Sequence, residues 1–154
     1  MTKTCLIIGC SGQDGSFLCK SLINKGFKVF GTSRSISRQN NHRTIGIEKK
    51  FKIYKLNLDN IDEIKDVISS VKPDEIYHLS AQSSVGLSYI QPIETQKSIV
   101  NATLNLLEAC RIKKFHGVIF CAGSGDIFGE TKYPATIHSP IETQKSIVNA
   151  TLNL

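Results

Sequence analysis

Gly9-Cys10-Ser11-Gly12-Gln13-Asp14-Gly15 sets glycines three residues apart, between an apolar run (Thr4–Ile8) and a segment of helical period. Such residues hold phosphate rather than make or break bonds. Glycine permits a tight turn and lets backbone approach a pyrophosphate closely, and the N-terminus of the following helix supplies free N–H groups and a positive dipole end. The strand–turn–helix setting is what gives the G-x-x-G-x-x-G spacing its meaning. At the end of the next apolar run stand Gly31-Thr32-Ser33-Arg34. A carboxylate there would favour the free ribose 2′-hydroxyl of NAD. None is present, and a guanidinium can grip a 2′-phosphate through two parallel hydrogen bonds, so the residues predict NADP as cofactor. Gln82, Ser83 and Ser84 follow a further run, and Ser124 and Asp126 follow another. By residue type alone these read equally as polar turns.

The elements that position these residues are legible in the hydrophobic pattern. Strands are predicted over Thr4–Ile8 and residues 28–32, 52–58, 75–80 and 117–122. A helix over 16–25 would face Phe17, Leu18, Leu22 and Ile23 inward and stop at Gly26. Asn60 can cap a second helix, with Asp62 and Glu63 in its first turn and Ile64, Val67, Ile68 and Val71 on its inner face. A third helix over 93–113 would turn Ile99, Leu106 and Leu107 inward. This alternation predicts the α/β class, a doubly wound parallel sheet of Rossmann type with right-handed crossovers. Ligands of such sheets lie beyond the carboxyl ends of the strands, where the residues named above fall.

Composition agrees with one globular domain: 154 residues, 40% apolar and 21% charged. No apolar run approaches the roughly 20 residues of a membrane-spanning helix, and the start of the chain does not read as a signal peptide. The expected setting is therefore the cytoplasm, with no membrane partner. The five cysteines (Cys5, Cys10, Cys19, Cys110, Cys121) show no C-x-x-C spacing, so reduced, structural thiols are expected and no metal site. The net charge of +6 is concentrated in Arg34, Arg38, Arg43, Lys49, Lys50, Lys52 and Lys55. This stretch reads as a solvated basic loop and strand edge, or as phosphate binding by Arg34 and Arg38. No aromatic interleaving accompanies it, so nucleic acid is not an expected partner.

Gly9 to Asp14, as G-C-S-G-Q-D followed by Gly15-Ser16, resembles the glycine motif of the GDP-mannose 4,6-dehydratases, within the extended short-chain dehydrogenase/reductases. Lys72-Pro73-Asp74-Glu75-Ile76-Tyr77, His78-Leu79-Ser80-Ala81-Gln82-Ser83, Val85-Gly86, Gln91-Pro92 and Asn105-Leu106-Leu107-Glu108-Ala109 carry the same resemblance. It implies that Gly9, Ser11, Gly12, Gln13 and Asp14 wrap a cofactor diphosphate and that Arg34 meets the 2′-phosphate of NADP. It further implies that Asn57 and Leu58 stand beside the adenine, where the family usually has Asp-Leu. Leu79, Ser80, Ala81, Gln82 and Ser83 would line the ribose and nicotinamide side. Ser124 would replace the family's threonine at the sugar 4-hydroxyl. Asp126 would replace the glutamate that removes the C5 proton and assists loss of water from C6, and it is one methylene shorter. The implied reaction converts GDP-mannose to GDP-4-keto-6-deoxymannose, and a homo-oligomer is open.

Two features depart from that pattern. The family uses Tyr-x-x-x-Lys to take the sugar 4-hydroxyl proton, but four residues after Tyr54, Tyr77, Tyr89 and Tyr133 stand Leu58, Ala81, Ile93 and Ile137. Residues 92–106 read PIETQKSIVNATLNL, and residues 140–154 repeat them without change. An identical copy reads as a duplicated or misassembled segment rather than an evolved repeat, since solenoid repeats diverge and occur in larger number. The expected organisation is an incomplete dinucleotide-binding domain over 1–139 and an aberrant tail over 140–154. The chain alone is expected to be inactive. A related nucleotide-sugar epimerase or reductase, and a non-catalytic NADP-binding remnant, remain open.

Overall fold

The computed structural model describes residues 2–35, 46–47, 49–123, 133–134, 136 and 138. The chain runs β1 (Thr4–Ile8), α1 (Gln13–Asn24), β2 (Lys28–Ser33), β3 (Lys52–Lys55), α2 (Ile61–Val71), β4 (Glu75–His78), α3 (Val85–Ile90), α4 (Pro92–Gln96), a π-helical turn (Lys97–Asn101), α5 (Ala102–Ile112) and β5 (Val118–Cys121). The strands form one sheet in the order β3-β2-β1-β4-β5. Every neighbouring pair is parallel. This is the expected doubly wound architecture, with the strand order reversing between β1 and β4.

β1 explains why two cores form. Cys5 and Ile7 pack with Cys19 and Leu22 of α1 and Val29 of β2 on one face. Leu6 and Ile8 pack with Ile64, Val67, Ile68 and Val71 of α2 and Leu106, Ala109 and Cys110 of α5 on the other. A central parallel strand buried on both faces has no reason to alternate with polar residues, and its sequence does not.

α2 follows its pattern closely. The Asn60 side-chain carbonyl accepts from the amides of Asp62 (3.0 Å) and Glu63 (3.4 Å). All four residues of its expected inner face are buried. Lys72, at φ 48°, ends it in the left-handed conformation.

Two helices differ from expectation. In α1, Leu22 is buried and Leu18 and Ile23 pack against the same core as expected, but Phe17 is 55% exposed, and Gly15, Ser16 and Cys19 are buried beside the turn. The first turn of the helix lies too close to the glycine turn for a large side chain, so small residues face inward there. In place of one helix over 93–113, the chain forms α4, the π-helical turn and α5. Leu106 is buried as expected, but Ile99 and Leu107 are exposed; the wide turn shifts the phase between Ile99 and Leu106, and Leu107 lies about 100° round α5 from Leu106.

Among the described residues β5 lies at an edge of the sheet, with Val118 and Phe120 exposed. All five thiols are free, four buried and Cys121 exposed. Among the described residues no helix is long and apolar enough to cross a membrane.

Candidate dinucleotide site

The carboxyl ends of the strands converge on the glycine turn. The amides of Gly9 and Cys10 both donate to Thr32 O, at 3.2 and 3.1 Å, and the Gly12 amide donates to Gly9 O at 3.1 Å. Each glycine answers a different demand. Gly9 has φ 89°, and a Cβ there would stand 3.0 Å from Ser80 Cβ. A Cβ on Gly15 would collide with Gly9 O, so this glycine lets α1 seat against the turn. Gly12 is different: its φ of −70° suits any residue, and a Cβ would meet only Gly9 O at 3.4 Å. Among the described residues nothing requires glycine there. What a Cβ would fill is the open space above the turn, at the N-terminus of α1.

That N-terminus has no side-chain cap, because Gly12 is the N-cap residue. Its first amides therefore face solvent or a ligand. Gln13 and Asp14 are exposed in the first turn. Ser16 instead turns inward and donates to Gly12 O at 2.6 Å. Sequence reading missed one partner of this turn. Cys10 is fully buried and sits where a Cβ on Gly31 would come within 2.5 Å of its Sγ. Burial pushes its thiol up to about 12, so it packs as an apolar group. A glycine inside an otherwise apolar strand was the available signal.

Beyond β2, Ser11 and Ser33 pair through their hydroxyls at 2.9 Å. Ser33 donates to Ser35 O at 2.8 Å, so Ser11 is the donor in the pair. Arg34 is exposed. Beyond β3, Asn57 is exposed and its side-chain carbonyl accepts from the Asp59 amide at 3.1 Å. The acceptor expected to face an adenine is thus engaged in a local turn. Leu58 is half-buried, and its carbonyl accepts from Asn105 Nδ2 at 2.9 Å.

The loop beyond β4 is fastened on both sides. The Leu79 amide donates to Ile8 O at 2.9 Å, and the Gln82 amide donates to Ser98 Oγ at 2.9 Å. Gln82 Oε1 accepts from the Ser84 amide at 2.8 Å. Ala81 and Ser83 are exposed. Ser80 turns back towards the buried His78, with Oγ 3.3 Å from Nδ1. His78 Nε2 lies 3.1 Å from Thr103 Oγ1. Thr103 donates its own proton to Ile99 O at 2.7 Å. Nε2 must then carry the ring proton and Nδ1 must accept from Ser80. Burial holds the His78 pKa below its ordinary value, which keeps this neutral arrangement.

The structure therefore brings together Gly9, Ser11, Gly12, Gln13 and Asp14 with Ser33–Arg34, Asn57–Leu58 and Leu79–Ser83 along one sheet edge. Ser124 and Asp126 lie outside the described residues. The tyrosines do not join the site chemically. Tyr77 donates to Glu75 Oε2 at 2.8 Å, and this bond to a carboxylate pushes its pKa up to about 12, opposite to what a proton acceptor needs. Tyr89 and Tyr133 are exposed. Tyr54 packs beside Phe30. A cleft of about 590 Å³ lies elsewhere, between the C-terminal end of α2 and Lys113–Gly117, at the amino ends of β4 and β5. Sheet topology and the glycine turn favour the opposite edge.

The family model for GDP-mannose 4,6 dehydratase matches residues 6–146. The chain belongs to the GDP-mannose 4,6 dehydratase family. Among curated relatives, GDP-mannose 4,6 dehydratase 2 of Arabidopsis thaliana is 34% identical over 144 residues, covering 86% of this chain and 39% of that protein. GDP-mannose 4,6-dehydratase of Vibrio cholerae is 37% identical over 116 residues, covering 71% of this chain and 31% of that protein. The chain thus spans well under half the length of these dehydratases.

Solved structures share the fold. UDP-glucose 4-epimerase of Thermus thermophilus in complex with NAD has a TM-score of 0.77 at 22% identity, covering 98% of this chain and 52% of that one. The Stenotrophomonas maltophila enzyme with bound NAD has a TM-score of 0.80 at 18% identity, covering 98% and 47%. The Bifidobacterium longum enzyme with NAD+ and UDP has a TM-score of 0.79 at 23% identity, covering 97% and 47%. Each of these holds NAD, and the expectation that Arg34 selects NADP is corrected accordingly. The physical reason is visible at β2. The buried Ser33 hydroxyl, which could have shared a phosphate with Arg34, is already committed to Ser35 O and Ser11. What remains is one exposed arginine, and a solvated cation alone does not build a phosphate pocket.

Proposed function

We propose that this chain is the NAD-binding part of a nucleotide-sugar dehydratase whose substrate is GDP-mannose. The observation that carries the reading is Gly12, a glycine that no contact among the described residues demands, at the uncapped N-terminus of α1. Backbone amides there would hold the pyrophosphate. Ser33 and Arg34 would border the adenosine ribose, Leu58 the adenine, and Leu79, Ala81, Gln82 and Ser83 the nicotinamide side. Bound NAD would supply the hydride acceptor for the sugar C4 position and the hydride returned at C6. Of this chain's own groups, Ser124 would hold the sugar 4-hydroxyl, and Asp126 would take the C5 proton and assist the departure of water from C6. A carboxyl in that role works best with a pKa raised towards the working pH.

The 154 residues alone would bind NAD without turning over, since no lysine stands four residues after any tyrosine and acid–base groups of one site act as a unit. The shorter Asp126 gives one ground for a sister activity on another nucleotide sugar. The test is calorimetric titration of NAD into the chain, followed by chromatography of GDP-mannose incubated with it. Binding without a 4-keto-6-deoxy product is expected. Absence of NAD binding contradicts the reading, and product formation contradicts the inactivity of the isolated chain.

A further inference from the structure

The π-helical turn at Lys97–Asn101 is the least regular part of the helical layer, and it faces the loop beyond β4. Its wide turn is closed by the Ala102 amide donating to Lys97 O, five residues back. In an α-helix, at about 100° per residue, residues five apart point about 140° away from each other. A turn closed by i→i+5 bonds brings such residues near one face. Ser98 and Thr103 are five apart, and both reach the same loop. Ser98 Oγ accepts from the Gln82 amide at 2.9 Å. Thr103 Oγ1 accepts from His78 Nε2 at 3.1 Å, and His78 in turn takes the Ser80 hydroxyl. The helix thus holds the loop at both ends, through one direct bond and one relayed bond.

We propose that Ser98 is a positioning residue for the dinucleotide. It fixes the backbone of Gln82, and hence the shape of the loop on the nicotinamide side, while touching no ligand itself. This rests on the proposed NAD-binding function. It assigns the π-helical turn a purpose that a straight helix could not serve, because straightening it would rotate either Ser98 or Thr103 away from the loop. π-Bulges of this kind are frequent at functional sites.

Ser98→Ala in the full 154-residue chain tests it, with Ser98→Thr as the conservative variant and Ser146→Ala as the same change in the repeated segment. Calorimetric titrations with NAD and with ADP separate the two halves of the site, and thermal denaturation reports the fold. Ser98→Ala should weaken NAD binding about three- to tenfold, the size of one neutral hydrogen bond, leave ADP binding unchanged, and lower the melting temperature by no more than the few degrees that one such bond is worth. Ser98→Thr should restore the NAD affinity, and Ser146→Ala should leave it intact. Equal losses for NAD and ADP, or unchanged NAD affinity in Ser98→Ala, would overturn the assignment. If the unmodified chain bound no NAD at all, the functional reading would fail first, and the two failures are thereby distinguished.

Discussion

Gly9 and Ser80 touch across the switch point of the sheet: a Cβ on Gly9 would stand 3.0 Å from both the Cβ and the amide nitrogen of Ser80. The turn after β1 and the loop after β4 are therefore set against each other by the absence of one side chain. Gly9→Ala would add both this crowding and a left-handed backbone at φ 89° for an L-residue. Gly26 has φ 80° but nothing within 4 Å of its Cβ position. Gly26→Ala should cost roughly 1–2 kcal/mol, the backbone term alone. Gly9→Ala should cost more, by about 1–3 kcal/mol of overpacking. Urea unfolding of the two variants checks this; equal losses would mean that the Gly9–Ser80 contact is not tight.

Asn60 satisfies two orphan amides at the start of α2. Asn60→Ala should lower stability by about 1 kcal/mol, and Asn60→Gly by only a few tenths. The same unfolding experiment reads both.

The expectations for α1 and α2 show which parts of the fold were legible. α2 presents Ile64, Val67, Ile68 and Val71 at clean helical spacing, and all four are buried. Burial there is large and apolar, so composition reports it directly. α1 is governed by close approach to the turn, and closeness is written in Gly15, Ser16 and Cys19, which a search for large apolar residues passes over. Ile99 and Leu107 failed for other reasons. Ile99 was placed by extending one α-helical phase across 93–113, which the π-helical turn breaks; Leu107 was placed inward beside Leu106, although neighbours in a helix point about 100° apart. The parallel, doubly wound sheet followed from the alternation of strands and helices. The cofactor preference did not follow, because one arginine type says nothing about whether a neighbouring hydroxyl is free.

His78 ties stability to pH. Burial lowers its pKa in the folded state below its ordinary value of 6.5. Between the folded value and 6.5 the unfolded chain binds more protons than the folded one, so stability rises with pH through that window. The melting temperature should therefore fall as pH drops below about 6.5. His78→Gln, which cannot take up a proton, should flatten this dependence while weakening the link from Ser80 to Thr103. An unchanged slope in the variant would show that His78 is not the group responsible.

The thiols should differ in reactivity. Burial pushes Cys5 and Cys110 up to about 11 and Cys10 up to about 12, while Cys121 is exposed on the edge strand. Brief alkylation at pH 8, read by peptide mass spectrometry, should modify Cys121 first and reach the others only on unfolding. Early labelling of Cys10 would mean that the glycine turn is not packed as described.

The central claim is that the turn from Gly9 to Gly15 binds a dinucleotide, and Gly12 tests it most directly. Its extended backbone accepts valine, and the nearest atom to a Cβ there is Gly9 O at 3.4 Å. NAD titrated into the chain and into Gly12→Val, with melting curves of both, should show a retained fold, less stable by no more than about 1 kcal/mol from the change of N-cap, and an NAD affinity lower by at least about tenfold, since a side chain would occupy the pyrophosphate's place. Equal NAD affinity in the folded variant would contradict the account.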